Sequence, residues 1–331
     1  MGEFIMRKWL CLSLAVVLFC TMGSAASAEW KFTHKIDIVC PWGVDGGADT
    51  TLRALTPLLE GALGAEVDIV NVAGGSGVYG VEYAYKQPAD GYTFMLGTQS
   101  LIMQDLQGNT SMDFKTAFVP VVKLVHSINI IAGSKKALDD KNCHTFSELV
   151  AYVKDNPHMV KAGMLTSKGV DGVSLRQSFA GMDVREVSYS GASEMLADLI
   201  NGNIDIAVTG PDEISYLIAS GDVVALCAVA EKRMKMYPDM QCTGELGIQS
   251  FMGPWRGIYA KAGTPQEAID AFVAGVAKAV QNAAWQDFLE VSAYDERPGY
   301  ASSVEFTKLN DEEYKTIAEF LRESKTLKKE Y

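Results

Sequence analysis

Ile36-Asp37-Ile38-Val39-Cys40 runs straight into Pro41-Trp42-Gly43-Val44-Asp45-Gly46-Gly47-Ala48-Asp49, and further on Val67-Asp68-Ile69-Val70 runs into Ala73-Gly74-Gly75-Ser76-Gly77-Val78-Tyr79-Gly80. Each is a short β-rich run, a glycine-rich loop and a helix start. The first amides of a helix have no partner within it, and glycine lets a ligand approach the backbone closely. Such a loop receives an anion without help from Lys or Arg. Two of them side by side specify a pocket for a carboxylate or a phosphate.

The same alternation continues along the chain. Strands are expected at residues 92–96, after the turn Ala89-Asp90-Gly91, and at 120–125, 128–132, 160–164, 184–187 and 205–208. Helices are expected at 148–154, stopped by Asn156-Pro157, and at 174–179, 192–200, 265–283 and 303–324. The loop 165–173, the turn Tyr189-Ser190-Gly191 and the turn Thr209-Gly210-Pro211 all follow strands. Ligands in open α/β sheets lie beyond the carboxyl ends of the strands, so these loops would line a common cleft between two α/β units.

Arg7 and Lys8, an apolar run over 9–19 and the small residues ending Ala26-Ser27-Ala28 read as a secretory leader cleaved after Ala28, which predicts an exported protein. Phe19 stands before Cys20 where a lipid-anchored leader needs a small residue, and the apolar run is too short to span a bilayer. With 29 Lys and Arg against 41 Asp and Glu in 331 residues, the chain carries a net charge of −12, which argues against nucleic acid as a partner. Cys40, Cys143, Cys227 and Cys242 lie beyond the leader with no CxxC spacing. Buried thiols and disulfides both remain open there, with Cys227 and Cys242 the pair to check first.

An enzyme is the rival class. Gly75 to Gly80 satisfies GxGxxG, but a dinucleotide site wants an acidic residue at the end of the next strand, and Gly97-Thr98 stand there. His34, His126, His144 and His158 are scattered, and neither HExxH nor GxSxG occurs. No catalytic residue, metal ligand or cofactor is therefore assigned.

Taken in order, Pro41-Trp42 with Gly46-Gly47-Ala48-Asp49, then Gly74 to Gly80, then Pro88-Ala89-Asp90-Gly91-Tyr92-Thr93, resemble the periplasmic solute receptors of tripartite tricarboxylate transporters, the Bug/TctC-like receptors. Tyr189-Ser190-Gly191, Gly202-Asn203-Ile204-Asp205, Arg233 with Pro238-Asp239, Glu245-Leu246-Gly247, and Trp255-Arg256-Gly257 with Ala262-Gly263-Thr264-Pro265 continue the resemblance over nearly all of the chain beyond the leader. It implies a two-lobed α/β periplasmic binding protein of class II type, each lobe a doubly wound sheet, with the ligand cleft between lobes. Lobe 1 would be 29–128 plus 254–331 and lobe 2 would be 129–253, with crossings near 126–129 and 253–256 and the two last helices packing on lobe 1 or spanning both.

The implied function is an extracytoplasmic receptor that binds a small organic carboxylate (a dicarboxylate, an amino acid or an aromatic acid) and delivers it to large and small membrane subunits. A periplasmic adaptor for a sensor kinase would have the same pocket. The resemblance places Trp42, Gly43, Val44, Asp45, Gly46, Gly47 and Ala48 in the first binding loop and Gly75, Ser76, Gly77 and Val78 in the second. Thr166, Ser167, Gly169 and Val170 would meet the distal end of the solute, with Thr98, Gln99, Tyr189, Gly210 and Pro211 as further candidates. Asp49 reads as a helix cap and Ser76 as a cap or a donor to a carboxylate. Asp45 and Trp42 depart from the usual pattern. Asp45 would face solvent or else a donor on the solute, and Trp42 would stack on a flat solute or pack beneath its loop.

Overall fold

The computed structural model describes residues 30–330; the expected leader and its cleavage point lie outside them. The first part of the chain runs β1 (Ile36–Cys40), α1 (Gly47–Leu63), β2 (Val67–Asn71), a 3-10 turn (Gly75–Gly77), α2 (Val78–Lys86), β3 (Thr93–Gly97), α3 (Gln99–Leu106), α4 (Phe114–Ala117) and β4 (Phe118–His126). There follow β5 (Ile130–Ser134), α5 (Lys135–Asp140), α6 (Phe146–Asp155), β6 (Lys161–Met164), α7 (Val170–Ser178), β7 (Arg185–Ser188), α8 (Ala192–Asn201), β8 (Ile206–Thr209), α9 (Pro211–Ser220), β9 (Val223–Ala228) and β10 (Gln241–Cys242). The chain ends with β11 (Trp255–Lys261), α10 (Gln266–Ala279), α11 (Ala283–Val291), a second 3-10 turn (Tyr294–Glu296) and α12 (Ser303–Glu323).

These strands form two mixed sheets, ordered β2-β1-β3-β11-β4 and β10-β9-β5-β8-β6-β7. β1 is parallel to both β2 and β3, and β6 is parallel to both β7 and β8. One strand in each sheet is antiparallel to both neighbours: β11 between β3 and β4, and β5 between β8 and β9. Each inverted strand is the first after a crossing from the other sheet. The chain leaves the first sheet over 127–129 and returns over 243–254, and the two crossings touch where the Ser127 amide donates to the Pro254 carbonyl at 2.9 Å.

Strand alternation sends successive side chains to opposite faces. Ile130, Ala132, Ala207 and Ala228 pack on one face of the second sheet, Ile131, Ile206, Val208 and Cys227 on the other. Cys227 and Cys242 belong to opposite faces, so the pairing singled out from sequence does not form, and all four described cysteines are free and buried. In the first sheet, Phe94 stacks on Phe272 of α10 at 3.9 Å, and Trp255 meets Phe306 of α12 edge to face at 5.1 Å.

Two helices differ from expectation. The helix expected over 265–283 is two, because Asn282 accepts the Ala284 amide and caps a new start. The helix expected from Ser174 begins at Val170, where Gly169 and Gly172 hide the helical pattern and Asp171 supplies the first-turn acid favoured by the helix dipole.

Candidate functional site

The crossings are held together by side-chain hydrogen bonds to backbone groups. Gln99 donates to the Gly253 carbonyl and accepts from the Trp255 amide, both at 3.0 Å. Arg297 donates to the carbonyls of Ser127, Val229 and Phe251 at 3.0–3.2 Å. On the second-sheet side, Asn129 donates to Ser174, whose hydroxyl donates to the Met252 carbonyl. Gln99 therefore tethers the crossings, and it lines neither of the two cavities described next.

Among the cavities between the sheets, two have Trp42 and Leu165 in their walls. The inner one, about 50 Å³, is lined by Gly46, Gly47 and Ala48 of the first loop, Thr98 and Ser100 at the start of α3, and Asn129, Thr166, Asp171, Thr209, Gly210, Glu213 and Arg256. The outer one, about 420 Å³, is lined by 74–79 of the second loop, Gln104, Asn109, Ser167, Lys168 and 188–190. That volume falls within the usual range for a small-molecule site.

The first loop behaves as an anion receptor, and the chain itself supplies the anion. The Gly47 amide at the start of α1 donates to Glu213 Oε1 at 2.6 Å. Glu213 Oε2 accepts from the Gly210 amide at 3.2 Å and from the Thr209 hydroxyl. One carboxylate thus joins the N-termini of α1 and α9, one from each sheet, where both helix dipoles favour negative charge. Beside it, Arg256 lies 3.4 Å from Asp212, with side-chain exposures of 6% and 0%. Tyr294 accepts from Arg256 and donates to Asp212 at 2.7 Å. β4 carries one extra residue, Leu124, opposite the Arg256–Gly257 step, a bulge of the kind that re-aims side chains next to a site. Burial, then the charge of Asp212, raises the Glu213 carboxyl above its ordinary range, and burial raises Asp212 against the pull of Arg256.

The second loop is built on four consecutive positive φ angles: Gly74 126°, Gly75 60°, Ser76 54° and Gly77 98°. Three glycines accept this without the steric cost a side chain carries. The amides of Gly77, Val78 and Tyr79 turn back onto the carbonyls of Gly74 and Gly75. The amides of Gly74, Gly75 and Ser76 are not spent in that turn, and all three residues line the outer cavity. Trp42 is 6% exposed, its indole Nε1 has no hydrogen-bond partner, and its adjoining ring edge faces Gly77. That buried donor stands in the wall between the cavities.

Of the residues expected to bind, Trp42, Gly46, Gly47, Ala48, Thr98, Thr166 and Gly210 line the inner cavity, and Trp42, Gly75, Ser76, Gly77, Val78, Ser167 and Tyr189 the outer. The others stand outside both walls. Gly43 abuts the Ser190 carbonyl, and Val44 is exposed. The amides of Gly169 and Val170 donate to the Thr166 carbonyl and the Ser100 hydroxyl, and Pro211 opens α9. Asp45 is exposed yet partnered, accepting from Ser193 Oγ of α8 at 3.0 Å. Asp49 does not cap the amides after it. Gly46 holds the cap position, and the wholly buried Asp49 accepts from the Asp45 amide, Arg53 and Asn71. Glu213, Asp171 and Arg256 were missed as cavity-lining residues because nothing local marks them; Glu213 and Arg256 reach partners far away in sequence, and Asp171 holds the Thr166 turn five residues before it.

Two mixed α/β sheets joined by paired crossings, with facing helix N-termini and cavities between them, define a two-lobed solute-binding protein. Residues 52–325 match the family described as tripartite tricarboxylate transporter family receptor, and the chain belongs to that family of solute-binding receptors. Protein BugT of Bordetella pertussis is 27% identical over 282 residues, covering 82% of this chain and 85% of BugT. Among solved structures, the periplasmic binding protein BugD superposes with a TM-score of 0.82 at 20% identity, over 90% of this chain and all of BugD. An R. palustris protein solved with adipate superposes with a TM-score of 0.79 at 24% identity, over 89% of this chain and 97% of that one.

Proposed function

We propose that this chain captures a small organic carboxylate in the periplasm and hands it to the large and small membrane subunits of a tripartite tricarboxylate-type transporter. The leader would be cleaved after Ala28. Lobes 29–128 plus 254–331 and 129–253 would open and close about the crossings tied by Gln99 and Arg297. The observation that carries the reading is the outer cavity, where the second glycine loop and the Trp42 indole face Ser167 and Tyr189 of the opposite sheet. The adipate-bound relative supports the carboxylate class. Closure brings donors of both lobes around the solute and excludes water, which strengthens each hydrogen bond. The role is binding and release, with no bond made or broken.

The test is a thermal-shift and calorimetry screen of the exported protein, refolded to strip carried-over solute, against mono-, di- and tricarboxylates, aromatic acids, amino acids and NAD. A ligand at about 100 times its dissociation constant adds roughly 2.7 kcal/mol, a shift of several degrees. Silence from every acid together with a response to NAD would overturn the reading. N-terminal sequencing of the same preparation checks the cleavage point, with a start other than Glu29 refuting it.

A further inference from the structure

Resting on that reading, we infer that the solute carries an ammonium group on the end that enters the inner cavity, so that its class is an aminocarboxylate, and that Glu213 sets this preference. The first loop is the place where a solute carboxylate would dock if α1's N-terminus were free. Here Glu213 holds the Gly47 amide at 2.6 Å. A second carboxylate brought into a cavity of about 50 Å³ would meet that charge at close range, in surroundings where water screens it little.

The cavity wall has the opposite need. Its charged residues are Asp171, Glu213 and Arg256. Arg256 faces Asp212 and is engaged by Tyr294 and Thr51. Asp171 accepts from the Thr166 amide and hydroxyl and from Asn129, and Glu213 from two amides and a hydroxyl. Helix N-termini offset part of these charges, each with about half a unit of positive charge. No cationic side chain forms an ion pair with Asp171 or Glu213 among the described residues. Burial raises Asp171, as it raises Glu213, and the charge of Arg256, which pairs with Asp212 instead, offsets this only in part. Each carboxylate accepts about four hydrogen bonds, so both have room for one more donor, and an ammonium supplies donors and charge together.

The residues lining the outer cavity include Lys168 and no carboxylate. The unpartnered Trp42 Nε1 stands in the wall shared by the two cavities, a donor waiting for an acceptor. It is an observation independent of the acidic cluster. A solute with its carboxylate at Trp42, Gly75 and Ser76 and its ammonium toward Glu213 and Asp171 satisfies both ends.

The experiment compares ω-aminocarboxylates of three to six carbons with dicarboxylates of the same lengths, by calorimetry on the refolded full chain and on Glu213→Gln. Circular dichroism checks that the variant is folded, and Asp171→Asn is a second variant for the case in which it is not. The expected result is at least tenfold tighter binding of one aminocarboxylate than of its matched dicarboxylate, with that ratio falling at least fivefold in a folded variant. Dicarboxylates binding as tightly or more tightly would overturn the inference and leave the receptor reading standing. A preference for aminocarboxylates that neither variant changes would overturn the assignment to Glu213. Silence from both series alongside binding of an acid without an amino group in the wider screen would overturn the inference alone, whereas silence from every acid together with a response to NAD overturns the receptor reading as well.

Discussion

Replacing Arg256 by Met tests whether the two sheets are held together across the cleft in solution as they are in the structure. Arg256 extends from β11 of the first sheet, and Asp212 from α9 beyond the second. At their 3.4 Å separation and an effective dielectric constant of about 20, two unit charges attract by about 5 kcal/mol. Much of that is offset by desolvating both groups, yet removing one partner leaves the other buried and unpaired, which costs about 3–5 kcal/mol. Arg256→Met should therefore lower the unfolding free energy by about that amount, and the melting temperature by roughly 10 °C. Asp212→Asn in the same chain removes the stranded charge and should recover about 2 kcal/mol, read as the coupling term of a double-mutant cycle in urea. A single-variant loss below about 1 kcal/mol, with additive effects in the double variant, would show that the pair does not bridge the lobes in solution.

Burial, with Arg297 and Lys123 adding to it, pushes the His126 ring down to about 3. The folded ring stays neutral while the unfolded one takes up a proton near pH 6.5, so the stabilisation is complete above that pH. It is then lost as pH falls toward 3, at about 1.4 kcal/mol per unit. His126→Gln should flatten the acid limb of stability against pH, and an unchanged slope would refute the assignment. At Gly77, φ is 98° and a Cβ would stand 2.7 Å from Leu101 Cδ2 and 3.2 Å from the Trp42 ring. Gly77→Ala should cost about 1–3 kcal/mol of stability and weaken solute binding by displacing Trp42; calorimetry showing wild-type affinity would place the carboxylate elsewhere. Because Cys40, Cys143, Cys227 and Cys242 are free and buried, an aromatic disulfide reagent should titrate none of these four thiols in the native protein and all four in guanidinium. Only two reacting after unfolding would mean that a disulfide forms on export.

Features read from neighbours a few residues apart were legible in the sequence. The runs at Ile36 and Val67, each followed by glycines and a helix start, announced two strand–loop–helix units, and the structure has them as β1 with α1 and β2 with α2. The positive φ angles of Gly74, Gly75 and Gly77 agree with glycine's presence there, since those conformations cost other residues more. Repetition of this unit gave an α/β chain and the family resemblance implied its two lobes, though neither gave the two inverted strands. Nothing around residue 258 says that β11 inserts between β3 and β4, because strand order depends on which edges remain free after the earlier strands have paired.

The site divides in the same way. Gly46, Gly47, Gly75 and Ser76 were found because a glycine loop before a helix is a local pattern with a local physical consequence. Glu213 and Arg256 were not, because a carboxylate in the first turn of a helix and an arginine in a strand are ordinary local choices. Only the tertiary fold brings Glu213 to Gly47, 166 positions away in sequence, and sets Arg256 between Asp212 and Tyr294. Backbone geometry is written in short-range sterics, which a sequence displays directly. The charge and polarity of the cleft are sums over groups that become neighbours only when the sheets close on one another, and burial then multiplies the strength of every term in that sum.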